Sequence, residues 1–367
     1  MSENWKTYKL GDIATLQRGF DLPTQNRING DIPIIAASGI GGYHNVSKVK
    51  GPGVITGRSG TIGKVMFENG DFWPLNTSLW VKDFHENDPK FIYYLLTNFD
   101  FTAFNVGTSV PTLNRNDVHV VEFSIPGIEE QRSIASILSS IDDKIELNLQ
   151  MNKTLEEMAM VLYKHWFVDF GPFQEGELVD SELGLIPKGW EVKRLDYILE
   201  IKYGKDHKKL EVGKIPVYGS GGIMRYVNQF LYDRDSILIP RKGTLSNLFY
   251  LTTPFWSVDT MFYSKIKQKH FGKYVFYFLK TIDLASMDVG SAVPSLTTEL
   301  LNRIDILVPP TLEIERFDET VTRYFNIMES NIIENKTLTT LRDTLLPKLI
   351  SGEVRVKEAE EILEEVL

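Results

Sequence analysis

The sequence predicts an α+β fold in which two pseudo-repeated, mixed strand-rich domains are joined by two long antiparallel coiled-coil helices. Three observations support this prediction. A heptad pattern of apolar residues runs through residues 128–170, the same pattern returns 183 residues later, and the segment before each pattern also repeats. Similarity of a chain to itself at a fixed spacing indicates an internal duplication.

The first long helix is predicted over residues 128–170, which at 1.5 Å per residue gives a length of roughly 60 Å. Apolar residues recur there at alternating steps of four and three, a pattern typical of a coiled-coil seam rather than a strand. Polar residues occupy only the two middle positions of the seam. The seam positions are Ile134, Leu138, Ile141, Ile145, Asn148, Asn152, Leu155, Ala159, Leu162 and Trp166.

The second long helix is predicted over residues 311–352, with asparagine at the same two seam places. Its seam positions are Phe317, Val321, Tyr324, Met328, Asn331, Asn335, Leu338, Arg342, Leu345 and Leu349. Antiparallel pairing would bring Asn148 against Asn335 and Asn152 against Asn331, and buried polar pairs of this kind fix the register of a seam. Two ordinary amphipathic helices in separate cores are the alternative. Pro347 is expected to end or kink the last turn.

The repeat places a first domain at residues 1–127 and a second at 189–310, with a linker at 171–188 and an acidic tail helix at 353–367. Within the domains, short apolar runs between Gly and Pro predict strands. These strands are expected at residues 32–37, 53–56, 78–81, 118–125, 236–239 and 304–308. Short helices are expected at residues 90–98 and 273–281.

The composition excludes several classes of protein. A chain of 367 residues suits two domains better than one. The absence of cysteine excludes disulfides, thiolate metal sites and cysteine nucleophiles. The first residues lack the layout of a signal peptide, and no apolar run approaches the about 18 residues of a membrane span. We therefore expect a cytoplasmic protein without a membrane segment.

The net charge of −9 is unevenly distributed. It is −1 over residues 1–126, −7 over 127–180, +5 over 181–310 and −6 over 311–367. The negative charge thus lies in the helices and the tail, whereas the domains are close to neutral or basic. This distribution is compatible with domains that face DNA.

None of the catalytic motifs considered is complete in the sequence. Residues 57–65 resemble a phosphate-binding loop, but Val65 stands where a metal-binding Ser or Thr is needed. Asp180 with Glu191 and Lys193 mimics a nuclease metal site, yet this pattern is absent from the first repeat. The six histidines show no ligand spacing and none recurs between the repeats. We predict no catalytic residue, no metal site and no cofactor in this chain.

Two loop types recur in both repeats and are small, polar and rich in glycine. One contains an arginine directly after an apolar strand, and arginine can bind guanine or phosphate with two parallel hydrogen bonds. The other is a Gly-x-x-Val-Pro turn, small enough to enter a groove. The candidate DNA-contacting residues are Arg58, Ser59, Gly60, Thr61, Thr108, Ser109, Arg241, Lys242, Gly243, Thr244, Ser291 and Ala292. Purely structural turns are the alternative.

These motifs, in this order and duplicated, resemble the specificity subunits of type I restriction–modification systems over nearly the whole chain. The resemblance rests on Trp5 with residues 10–12, the Gly-x-x-Val-Pro turns, and residues 129–132 at the start of a long helix. It also rests on residues 162–170 and 344–353. At residues 311–316, only part of the pattern at 129–132 survives.

The resemblance implies two target-recognition domains, each reading one half of a bipartite site in double-stranded DNA. It implies that the long helices act as a spacer and bind two methylase subunits. S-adenosylmethionine, ATP and Mg²⁺ would then belong to partner subunits, namely the adenine methylase and the restriction and translocase subunits, and not to this chain.

Two other functions remain open at this point. The specificity partner of a type II restriction–methylation system with a bipartite site would have a similar sequence. A coiled-coil scaffold that carries two ligand-binding domains and binds no DNA would share the architecture, but it predicts no salt-dependent affinity for DNA.

Overall fold

The structure, a computed structural model, describes residues 5–106, 109–287 and 295–364. The chain divides into two compact units. The first unit comprises Met1–Leu149 and Ile332–Leu367, and the second comprises Gln150–Asn331. Because these boundaries fall inside the two long helices, each unit contains one strand-rich domain and a segment of each helix.

The first domain combines a four-stranded antiparallel sheet with smaller sheets and short helices. Its strands are β1 (Lys6–Lys9), β2 (Thr15–Arg18), β3 (Ile32–Ala36), β4 (Gly39–His44), β5 (Gly53–Gly57), β6 (Val65–Glu68), β7 (Trp73–Pro74), β8 (Ser78–Asp83) and β9 (Glu122–Ile125). Its helices are α1 (Leu10–Ile13), α2 (Pro89–Thr97) and α3 (Arg115–His119). The sheet orders are β2-β8-β5-β6, β4-β3-β7 and β1-β9. The apolar run of β5 is buried along its whole length between β8 and β6.

Helix α4 (Ile128–Phe167) follows, and then the second domain repeats the arrangement of the first. Its strands are β10 (Leu178–Ser181), β11 (Gly184–Pro187), β12 (Glu191–Arg194), β13 (Leu199–Tyr203), β14 (Val212–Gly219), β15 (Gly222–Val227), β16 (Ser236–Pro240), β17 (Phe249–Leu251), β18 (Trp256–Ser257), β19 (Met261–Ile266) and β20 (Asp305–Val308). Its helices are α5 (Phe271–Thr281) and α6 (Thr298–Asn302), and α7 (Thr311–Ser351) and α8 (Val356–Glu364) complete the chain.

The sheets of the second domain show that the duplication extends to strand pairing. Their orders are β13-β19-β16-β17, β15-β14-β18 and β12-β20, each with a counterpart in the first domain. The register is repeated too, since Ile55 pairs with Trp80 in the first domain and Leu238 pairs with Tyr263 in the second. The hairpin of β10 and β11 lies in the predicted linker. The predicted α+β fold with two repeated domains and two long helices is confirmed.

The seam of the long helices is buried as the heptad pattern predicts. None of its predicted positions is exposed in either helix. In the first unit, Leu138 and Ile141 of α4 share a buried cluster with Leu345 of α7. In the second unit, Ala159 of α4 shares one with Phe317 of α7.

The pairing is antiparallel within each unit. In the first unit, Asp142 meets Arg342 and Asn148 meets Asn335. In the second unit, Asn152 meets Asn331 and Tyr163 meets Phe317.

The four seam asparagines form two pairs with the same bonding pattern. In the first unit, the Asn148 amide donates to Oδ1 of Asn335 at 2.9 Å, and the Asn335 amide donates to the carbonyl of Ile145 at 3.2 Å. In the second unit, the Asn331 amide donates to Oδ1 of Asn152 at 2.8 Å, and the Asn152 amide donates to the carbonyl of Met328 at 3.2 Å. The pairs expected from the sequence are therefore present, and their effect on register stays a prediction.

Each unit has its own core beneath these helices. In the first unit, Phe91 of α2 and Leu363 of α8 belong to the same buried cluster as Leu138. The apolar face of the tail helix is thus part of this core. In the second unit, the Phe167 ring lies 4.7 Å from the ring of Tyr274 and 5.0 Å from that of Phe317, measured between centroids.

Several predicted boundaries differ from the structure. The strand expected over residues 118–125 is wrong in its first half: Asn114 accepts a hydrogen bond from the amide of Asn116 and begins the short helix α3, and the strand starts only at Glu122. Helix α4 ends at Phe167 rather than at residue 170, where Phe170 adopts a left-handed backbone conformation. Helix α7 does not end at Pro347 but continues to Ser351. Leu349 and Ile350, in the turn that follows Pro347, are buried.

Candidate nucleic-acid interface

In the first unit, the arginine loop at residues 58–61 lies directly against the end of the Gly-x-x-Val-Pro turn. The amide of Leu113 donates to the carbonyl of Arg58 at 2.8 Å, and the amide of Gly60 donates to that of Pro111 at 2.9 Å. Ser59 and Thr112 form an antiparallel bridge. Two loop types that the sequence presents separately thus form one surface.

The second unit repeats this junction. The amide of Leu296 donates to the carbonyl of Arg241 at 3.0 Å, and Lys242 forms an antiparallel bridge with Ser295. The same pair of backbone segments is therefore joined beside an arginine in both units.

The two arginines are held in the same way. Nη1 of Arg58 lies 3.5 Å from the carbonyl oxygen of Asn76, and Nη1 of Arg241 lies 3.5 Å from that of Asp259. Both side chains are half-buried. A bond of this kind uses one of the five N–H donors of a guanidinium, so a positioned arginine with spare donors recurs at this surface.

The glycines of the arginine loops have a structural reason. Gly60 and Gly243 both have φ of +87°, a conformation that glycine adopts at little cost. A direct contact of these residues with DNA remains a prediction. Thr61 and Thr244 are exposed beside them.

A cleft of about 760 Å³ opens beside Arg58 in the first unit. Arg18 and Arg115 line it together with Arg58, and among its described lining residues Asp21 alone carries a carboxylate. A guanidinium nitrogen of Arg18 lies 3.8 Å from that carboxylate, and both side chains are more than half exposed. Thr112 and Asn114 add polar groups to the lining. The cleft therefore has a net positive charge and is suited to a polyanion.

Arg18 and Arg115 are candidate residues that sequence reasoning missed. Arg18 ends β2 and directly precedes the recurrent Gly19, whereas Arg115 begins α3 two residues after the buried Leu113. Burial of the imidazole, with the positive charge of Arg115 as a smaller cause, lowers the pKa of His119. Proximity to a recurrent glycine or loop was the available signal.

The second unit has different side chains at the equivalent places. Tyr203 replaces Arg18, and its ring centroid lies 5.4 Å from the guanidinium carbon of Arg241. Thr298 replaces Arg115. Nearby, Lys202 forms an ion pair of 2.7 Å with Glu200. The two surfaces thus share one arginine and differ in what surrounds it.

Three of the predicted site residues lie outside the described residues. They are Thr108, Ser291 and Ala292. Ser109 is described and exposed. Within the described ranges, no group of three or more His, Asp or Glu side chains could hold a metal ion, and no helix has the length and hydropathy needed to cross a membrane.

Comparison with known proteins places this architecture in a family. A family model described as the type I restriction modification DNA specificity domain matches the chain twice, at residues 2–157 and 187–341. The chain belongs to the family of type I restriction–modification specificity subunits. Each match covers one strand-rich domain and most of the long helix that follows it. The duplication in the structure is therefore a duplication of the family's domain.

Individual members of this family align with almost the whole chain. The type I restriction enzyme MjaIX specificity subunit of Methanocaldococcus jannaschii is 27% identical, covering 97% of this chain and 95% of that protein. The HindI specificity subunit of Haemophilus influenzae is 26% identical, covering 96% of this chain and 100% of that protein. The crystal structure of the S subunit of a type I system from M. genitalium has the same fold, with a TM-score of 0.65 at 20% identity over 94% of this chain and 96% of that one.

Proposed function

We propose that this chain gives a type I restriction–modification complex its DNA specificity, with each strand-rich domain reading one half of a bipartite target. The observation that carries the proposal is the recurrence, in both units, of an anchored arginine at the junction of the same two backbone segments. The recurrence of this arginine in a specificity subunit favours a role in DNA recognition over a purely structural role. A structural turn needs no free guanidinium donors.

The chemistry of the first unit fits contact with duplex DNA. Arg18, Arg58 and Arg115 surround one cleft and provide both positive charge and forked donors. Phosphate contacts of such side chains position a protein on DNA, whereas paired bonds to base edges supply sequence information. Arg241 would do the same in the second unit, supported by the exposed side chain of Lys242.

The helices offer surfaces for the methylase subunits. In the second unit, a groove of about 380 Å³ is lined by Met158 and Val161 of α4 and Tyr324 of α7. Val161 is 66% exposed although it is apolar. Exposed apolar surface of this kind is typical of a protein–protein contact.

A second groove lies at the repeat-equivalent place on α7, in the first unit. It has a volume of about 450 Å³ and is lined by Leu341 and Thr344, the counterparts of Met158 and Val161. Two grooves at equivalent positions of a duplicated chain suit two copies of one partner. We therefore propose that each groove docks one methylase subunit.

In this proposal, the chain has no catalytic role of its own. S-adenosylmethionine and adenine methylation would belong to the methylase, while ATP, Mg²⁺ and cleavage would belong to the restriction and translocase subunits, all in the cytoplasm. A type II system with a bipartite site would require the same chemistry of this chain. The scaffold without DNA binding is not favoured, because the chain carries the DNA specificity domain twice.

The experiment is to purify the chain with the methylase encoded beside it and to measure binding of DNA that carries the methylated motif at several salt concentrations. We expect one chain to hold two methylase subunits. We also expect the logarithm of the DNA association constant to fall linearly with that of the salt concentration, since phosphate contacts release counterions. A complex that binds DNA without salt dependence, or a chain that binds no methylase, would contradict the proposal.

A further inference from the structure

The two recognition surfaces share one arginine, so this arginine alone cannot distinguish the two halves of a target. Arg58 and Arg241 have the same anchoring distance, the same backbone junction and a following glycine with the same φ. Residues that give each half its own sequence must therefore be sought where the two surfaces differ.

The differences lie beside the shared arginine. Arg115 of the first unit is replaced by Thr298 in the second, and Arg18 is replaced by Tyr203. Tyr203 stacks against Arg241 at 5.4 Å, so it modifies the shared arginine. Arg18 has a carboxylate partner in Asp21 at 3.8 Å. Arg115 differs from these residues because its guanidinium has no hydrogen bond or ion pair within the described part of the chain.

The backbone that carries Arg115 is nevertheless firmly placed. Leu113, two residues before it, is buried and is hydrogen bonded to the carbonyl of Arg58. Val118, three residues after it, is fully buried. Arg115 itself is exposed and lines the cleft. It is therefore a forked donor on a fixed backbone, so that a contact with a base edge requires ordering of the side chain alone.

We propose that Arg115 is a specificity-determining residue that reads a guanine in the half-site bound by the first unit. A guanidinium matches guanine because it can donate to O6 and N7 together in the major groove. The second unit has no such donor at the equivalent place, since Thr298 offers a single hydroxyl. This inference rests on the proposed function, and it adds which unit requires the guanine and which side chain reads it.

The test uses the full chain in complex with its methylase and a DNA library in which both half-sites are randomised. Arg58→Ala assigns one half of the selected motif to the first unit. Arg115→Lys then keeps the charge but removes the fork, and Arg115→Thr installs the residue that the second unit already carries. We expect Arg115→Thr to lose preference for guanine at one position of that half by about 5- to 150-fold. Arg115→Lys should lose less of it, since a lysine can also donate to guanine. The other half should be unchanged, which also shows that the variants are folded.

Three results would overturn the inference while leaving the proposed function intact. Full retention of the guanine preference by both Arg115→Lys and Arg115→Thr would show that another residue reads the base, because a phosphate contact of Arg115 carries no sequence information. A first half-site without guanine in the wild-type motif would exclude the contact directly. Equal loss of guanine preference in both halves would contradict a contact that is confined to the half-site of the first unit. Failure of the wild-type complex to select any two-part motif would instead contradict the proposed function itself.

Discussion

Replacing Asn148 with Leu should destabilise the seam of the first unit more than replacing Asn335 with Leu. Asn148 is 1% exposed and supplies the donor for Oδ1 of Asn335. Its removal leaves that half-buried oxygen without this donor, which costs up to about 1–3 kcal/mol. In the Asn335→Leu variant, the Asn148 amide keeps its bond to Glu334 at 2.7 Å, so we expect a cost near the lower end of that range.

The double variant should be more stable than the sum of its parts. With Leu at both positions no amide is left unpaired, and two apolar side chains meet in a buried seam. Replacing both partners of a buried hydrogen bond by apolar groups is often neutral or stabilising. We therefore expect a favourable coupling of about 0.5–3 kcal/mol between the two sites.

The two single variants and the double variant form a double-mutant cycle, which hydrogen exchange measured by mass spectrometry can follow. This method reports local opening, whereas a single global unfolding transition is poorly defined for a chain with two units. A cost of about 1–3 kcal/mol corresponds to exchange about 5- to 150-fold faster in peptides from the first-unit segments of α4 and α7. The Asn152→Leu and Asn331→Leu cycle is the matched control and should act on second-unit peptides. Additive effects of Asn148→Leu and Asn335→Leu, within about 0.5 kcal/mol, would refute the pairing argument.

Three further predictions concern the recognition surface, the helix groove and pH. Arg58→Ala should weaken selection of one half-site by about 5- to 150-fold and Arg241→Ala that of the other; equal loss of both halves in either variant, measured by library selection, would contradict two separate readers. Val161→Asp should weaken methylase association by about tenfold or more. Val168→Asp lies outside the groove in the same unit and should have no such effect. Equal effects of the two variants in a binding assay would exclude the groove as the methylase-binding site. The pKa of His119 is lowered in the folded chain, so its contribution to stability is present above pH about 6.5 and is lost as the pH falls through the lowered pKa. His119→Asn should therefore reduce the loss of first-unit stability on acidification. An unchanged pH dependence of hydrogen exchange in this variant would contradict the prediction.

The long helices could be predicted from the sequence because their pattern is local and regular. A seam position can be recognised from the residues three and four places away in the sequence. The antiparallel partner of Asn148 can be predicted from the position of the second pair of asparagines. The helix ends were less predictable. Val168 and Phe170 are apolar, yet helix α4 ends at Phe167 and Phe170 adopts a left-handed conformation. Helix α7 continues through Pro347 to Ser351.

The recognition surface could be predicted only in part. The arginine loops were visible because they recur, but their junction with residues 111–113 depends on contacts between segments more than 50 residues apart. Arg115 lies just before the strand expected at residues 118–125, and the Asn114 cap begins a short helix at Arg115 that overlaps the start of that expected strand. Arg18 has no recurring counterpart, so comparison of the repeats passes over it. Side chains that differ between the repeats are least visible in the sequence, although they distinguish the two surfaces.

The most direct test of two-part recognition is sequencing of adenine methylation in cells that express this chain with the methylase encoded beside it. We expect a methylated motif of two short specific halves separated by unspecified bases, which disappears when the chain is deleted. We further expect that exchanging residues 189–310 for those of a related subunit changes one half only. A single uninterrupted motif, or methylation that is the same with and without the chain, would contradict these expectations.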